Sequence, residues 1–178
     1  LLPLADDALI LGHRTSEWTG HAPTLEEELA LANIALDLIG QARLLYQATG
    51  IDEDRLAFLR DAHQFRNALI AELPNGDFAF TIVRLFLISV ASDQPWRAAT
   101  ASEDPDIAAV AAKAEKETAY HVRHAADWLV RLGDGTDESH RRAQAALDAL
   151  WPYTGEITGG PGRSAWLRAV APVIARAT

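Results

Sequence analysis

Two segments, LALANIALDLIGQARLL and FAFTIVRLFLISVA, are apolar on nearly every side when wound as helices. A helix apolar all round must be enclosed by other elements, so each needs neighbours on several faces. Nowhere do Val, Ile and Thr alternate with polar residues over the length of a strand, which removes a sheet as the enclosing layer. The pattern therefore predicts an all-α fold, a single-domain helical bundle of about six helices or more.

Local signals place the helices. The first runs from Pro3 to about Trp18, with Pro in its first turn. Thr24 caps the second, with Glu26, Glu27 and Glu28 in the turn where the dipole favours negative charge, and this helix ends near Gly50. Asp52 caps a third, expected to continue to Leu73 before Pro74-Asn75-Gly76. Asp77 opens the very apolar fourth. The stretch from SDQPW to SEDPD reads as loop, with Asp104 or Asp106 capping a long helix from about Ile107 to Leu132. Gly133-Asp134-Gly135 stops it. One helix follows near Glu138 to Leu150, then the Gly-rich ITGGPGRS, the most flexible segment by composition, and a last helix from Ser164.

Charge and composition exclude several functions. The formal net charge is -9, and no basic face appears, so neither nucleic acid nor an anionic membrane surface is expected as a partner. There are no cysteines, which excludes disulfides, zinc fingers, iron–sulfur ligation and thiol catalysis by this chain and fits a reducing cytoplasm. No apolar run reads as long enough to span a bilayer, and LLPLADD lacks the flanks of a signal peptide. Phosphate-binding, dinucleotide, zincin and hydrolase motifs are absent. The sequence begins on Leu and holds no Met, so it reads as less than a full translation, and spacings across loops are minimum values.

The polar residues inside apolar helices carry the functional question. In KETAYHVRHAADW, Glu117 and His121 are four apart and nearly superposed on one helix face. They read either as metal donors or as a Glu–His hydrogen bond that satisfies both groups. Asn33, Asp37 and Gln41 form a polar line on the second helix, facing solvent or a polar cavity. Arg84 is the one charge between Phe78 and Ala91; it must reach a carboxylate, the surface or a partner. On the first helix Asp6, Ile10, His13 and Glu17 share a face that reads as exposed. A four-helix di-iron centre needs a Glu from each of two helices and a Glu-x-x-His pair from each of two others. Here Tyr120 stands where the three-apart His belongs, and Asp37 is followed by Gly40 and Gln41. Arg84 would compete with iron for the same acids.

The strings ADDALILGHRTSEWTGHAPTLEEELALANIALDLIGQARLLYQATG, PNGDFAFTIVRLFL, KETAYHVRHAADWLVRLGDGTDESHRR and ALDALWPYTGE resemble the PaaC-type subunit of the bacterial phenylacetyl-CoA epoxidase (monooxygenase) complex. The resemblance implies a ferritin-like helical bundle that carries no working di-iron centre and binds no cofactor itself. It implies pairing with a PaaA-type catalytic subunit that holds the di-iron centre, with self-association left open. A reductase would supply electrons from NADPH through flavin and iron–sulfur groups. On this resemblance Asp37, Glu117 and His121 are remnants of metal positions and no residue is carried over as catalytic; Arg84, from the residues alone, stays a candidate buried charge or partner contact. Members of the family are usually longer, which implies absent segments near residues 89 to 95 and 155 to 162 and a trimmed start. Two other readings stand beside it: an active di-iron oxygenase ligated by Glu17, Asp37, Glu117 and His121, and a helical scaffold unrelated to oxygenases.

Overall fold

The computed structural model describes residues 1–160 and 162–177. Its helices are α1 (Leu2–Ser16), α2 (Leu25–Gln47), α3 (Glu53–Phe58), α4 (Leu69–Glu72), α5 (Phe78–Ala99), α6 (Pro105–Gly133), α7 (Asp137–Leu150), α8 (Thr154–Thr158) and α9 (Arg163–Ala177). Short 3-10 turns lie at Ala62–Gln64 and Trp151–Tyr153. Among the described residues there is no strand, and the fold is all-α, of the ferritin-like helical class. The residues group into two compact units, Leu1–Leu73 with Arg97–Ala114, and Pro74–Trp96 with Glu115–Thr178.

In the first unit, α2 starts where its cap predicts: the Glu27 amide donates to the Thr24 hydroxyl at 3.4 Å. Its inner face, with Leu31, Ile34, Leu38, Ala42 and Leu45, is buried. Gly12 lets α1 lie close against it. A β-carbon there would stand 2.9 Å from Ile39 Cγ1 and 3.3 Å from the Ala35 carbonyl oxygen.

The third helix departs from expectation. Asp52 caps it, accepting from the Arg55 amide at 2.9 Å, but it ends at Phe58 rather than reaching Leu73. At its end the Leu56 carbonyl accepts from the Arg60 guanidinium and the Asp61 amide donates to the Gln64 side chain, so side chains compete with the next helical turn. Further on the competition continues. The Arg66 amide donates to Asp6 at 2.8 Å and the Ala68 amide to Asp7 at 2.6 Å. Those N–H groups are taken by acids on α1 and do not close helical turns.

In the second unit, Asp77 opens α5 by accepting from the Phe80 amide at 2.9 Å. From Thr81 to Val90 every residue of α5 is buried. The Trp166 indole on α9 donates to the Leu87 carbonyl at 3.1 Å, and Phe78 meets Trp128 edge to face at 5.1 Å. α7 buries Ala143, Ala146, Leu147 and Leu150, one stripe at helical spacing. Gly133 ends α6 beside the end of α9; a β-carbon would fall 2.0 Å from the Ala177 carbonyl oxygen.

Two further expectations need correction. The stretch from Ser92 reads as loop in the sequence, yet α5 continues through Pro95 to Ala99. Proline removes one helix hydrogen bond. Burial of Trp96, 3% exposed, offsets that loss, since an aromatic side chain taken from water contributes a few kcal/mol, roughly. Residues 89 to 95 therefore lie within one continuous helix. The other correction concerns apolar length. α2 and α5 are both long and apolar enough to cross a membrane by length and composition. More than half of the apolar window of α5 is enclosed within the protein, which is what an all-round apolar core helix does. Of ITGGPGRS, Ile157 and Thr158 close α8, and Pro161 lies outside the described residues.

Candidate functional site

The helix that carries Glu117 and His121 is α6, and its buried stripe is Ala111, Ala114, Thr118, His121, Ala125 and Leu129. Trp128 and Leu132, further along the same helix, are half-buried. His121, 1% exposed, is within the stripe, and Glu117 is half-buried at its edge. Tyr120 is 39% exposed and stacks on His124 at 5.9 Å. It occupies the three-apart position with a ring turned to the helix surface, where the di-iron pattern needs an imidazole.

Asp37 belongs to the first unit, Glu117 and His121 to the second. On α2 the polar line grades from exposed Asn33 through half-buried Asp37 to Gln41, 3% exposed. Glu17 is exposed at the end of α1 and pairs with Arg14 at 2.9 Å. Among the described residues no group of three or more His, Asp or Glu side chains could hold a metal ion. The donors present do not fit a two-metal carboxylate centre.

Arg84 is 0% exposed in the middle of α5. Its guanidinium donates to the Asn75 side-chain oxygen and lies over the Phe80 ring, 5.6 Å from the centroid. The loop Pro74-Asn75-Gly76, a helix breaker by sequence, thus also supplies an acceptor for the buried cation.

A second polar cluster has no counterpart in the sequence pattern. Asp6, expected on an exposed face, is 0% exposed. Its Oδ1 accepts from the Tyr46 hydroxyl at 2.6 Å and from the Arg60 guanidinium. Its Oδ2 accepts from Arg60 at 3.0 Å and the Arg66 amide at 2.8 Å. Arg60 also covers the Phe65 ring at 4.0 Å and donates to the Leu56 carbonyl. The correction has a plain cause: Arg60 and Tyr46 are 54 and 40 residues away in sequence, so nothing local marks Asp6 as paired. With two donors on each oxygen, the carboxylate has no site left for a metal or a substrate proton. It joins α1, α2 and the segment after α3.

Burial pushes the Tyr46 phenol up from its ordinary value, and the Asp6 carboxylate that accepts its proton adds to this. The hydrogen bond to Asp6 likewise raises Arg60. An unfolded tyrosine loses its proton near pH 10, roughly, while the folded one keeps it. The folded state then binds more protons, so stability falls as pH rises above about 10, by at most ~1.4 kcal/mol per pH unit. Urea unfolding from pH 8 to 11 is expected to show this loss in the wild type relative to Tyr46→Phe. Parallel curves for the two proteins would show that the phenol is not held protonated.

In the second unit a cleft of about 400 Å³ is lined by Gly76, Asp77, Phe80, Glu138, Arg141 and Arg142. Arg142 spans Glu138 at 2.6 Å and Asp77 at 3.4 Å, and Arg141 also pairs with Glu138. Arg142, then Arg141, holds the Glu138 carboxyl below its usual range. The charges of this cleft are mutually satisfied and solvent-exposed.

Residues 1–177 match the family described as phenylacetic acid catabolic protein. The chain belongs to this family. Within it, the chain is 50% identical over 161 residues to the C subunit of the 1,2-phenylacetyl-CoA epoxidase of Escherichia coli (strain K12). The alignment covers 88% of the chain and 65% of that relative, so the chain spans just under two thirds of the relative's length. The resemblance to PaaC-type subunits therefore holds across most of this family member.

Proposed function

We propose that this chain is a structural, non-catalytic subunit of a multicomponent phenylacetyl-CoA epoxidase. It pairs with and stabilises a PaaA-type catalytic subunit, which holds the di-iron centre and receives electrons from a separate reductase. The observation that carries the reading is the 50% identity to the C subunit of the Escherichia coli epoxidase. The non-catalytic role is supported by donor chemistry: Glu117 and His121 are four apart, and Tyr120 stands at the three-apart position.

Copurification tests the pairing. Co-expressed with a tagged catalytic subunit, this chain is expected to elute with it from affinity and sizing columns at a fixed ratio, and to raise the soluble yield of that subunit. Separate elution, with an unchanged yield, would refute the pairing.

A further inference from the structure

The outer face of α2 leaves large apolar side chains in water. Leu25 is 67% exposed, Leu29 58% and Leu36 68%. Glu26, Asn33, Arg43 and Gln47 share this exposure, and Gly40 is half-exposed between them. The spacing is heptad-like: Glu26, Asn33 and Gly40 form one seven-residue row, Leu29, Leu36 and Arg43 the next. Such rows make the seam of a left-handed helix pair.

The order of residues along the seam selects the occupant. Reversed end to end, it is complementary to itself. Glu26 falls opposite Arg43, Leu29 opposite Gly40, and Asn33 opposite Leu36, each pair centred on the point between Ile34 and Ala35. A β-carbon added at Gly40 meets nothing within 4 Å, so the glycine leaves room for an incoming leucine. An antiparallel partner also sets its acidic N-terminal end against a basic C-terminal end, in line with both helix dipoles. Self-complementarity about a two-fold axis is the signature of an isologous contact. Arg43 already meets Glu53 at 3.0 Å through Nε; its side chain is 65% exposed, and the remaining guanidinium donors are available to a second acid.

We infer that the outer face of α2 is an antiparallel, two-fold docking surface for a second copy of this chain. The inference rests on helix pattern and charge order alone and is independent of the proposed oxygenase role.

Sedimentation equilibrium on the purified chain tests it. A monomer–dimer equilibrium is expected, and Leu36→Asp is expected to raise the dimer Kd about tenfold or more. Because Leu36 is exposed, circular dichroism should report an unchanged fold. Charge reversal adds a stricter test. Glu26→Arg alone and Arg43→Glu alone each place like charges opposite one another in the homodimer and weaken it. Mixed together, the two variants regain a dimer, since both cross-pairs are then complementary. A monomer at all concentrations overturns the proposal, as do dimers indifferent to Leu36→Asp or failure of the mixture to recover. A monomer whose Leu36→Asp variant instead loses a different oxygenase subunit assigns the face to that subunit and overturns self-pairing.

Discussion

Asp6→Ala is expected to lower the unfolding free energy by about 3–5 kcal/mol, because it leaves a buried guanidinium without its carboxylate. The side chain of Arg60 is 9% exposed and that of Asp6 0%, so water does little to replace the lost partner. The same substitution removes the acceptor of the Tyr46 hydroxyl and of the Arg66 amide. Since Asp6 holds the Arg66 amide and the Arg60 side chain of the segment after α3 against α1, protection of that segment from hydrogen exchange should fall as well. Urea unfolding followed by circular dichroism measures the first effect. A loss under about 1 kcal/mol, the level of an exposed pair, would mean that the cluster contributes little to the fold.

Arg84→Ala should be comparably severe, at about 2–5 kcal/mol, the cost of a large side chain removed from a close-packed interior. The substitution opens a cavity in the most enclosed helix and removes the guanidinium donor from the Asn75 side chain. Arg84→Met keeps most of the stem and should recover part of the loss, although it too lacks that donor. Thermal unfolding of the three proteins ranks them wild type, Met, Ala. An unchanged melting temperature in Arg84→Ala would contradict a buried role.

What is legible in the sequence follows from which forces are local. Thr24, Asp52 and Asp77 bond backbone amides three residues away, so the helix starts are readable from residue types alone. Helix ends are less so. α3 does not run on to Leu73 because the Arg60 side chain takes the Leu56 carbonyl, the Asp61 amide bonds Gln64, and Asp6 and Asp7, some 60 residues earlier, take the amides of Arg66 and Ala68. The continuation of α5 through Pro95 has the same character, since the burial of Trp96 is a tertiary fact. At α6 the Glu117–His121 spacing is plain in the sequence, but the burial of His121 and the outward turn of Tyr120 depend on which face packs inward. Asp6 shows the limit most clearly. It sits among Ala5, Ala8 and Leu9, all buried, and that neighbourhood is the available signal. The face that Asp6 shares with Ile10, His13 and Glu17 suggests exposure instead.

The central claim is that this family member supports an oxygenase partner without holding the metal pair itself. Metal analysis of each chain, after aerobic iron loading and separation from a copurified catalytic subunit, tests it most directly. The account predicts about two irons on the catalytic chain, the complement of a di-iron carboxylate bundle, and far less than one on this chain. Two irons bound by this chain would contradict it.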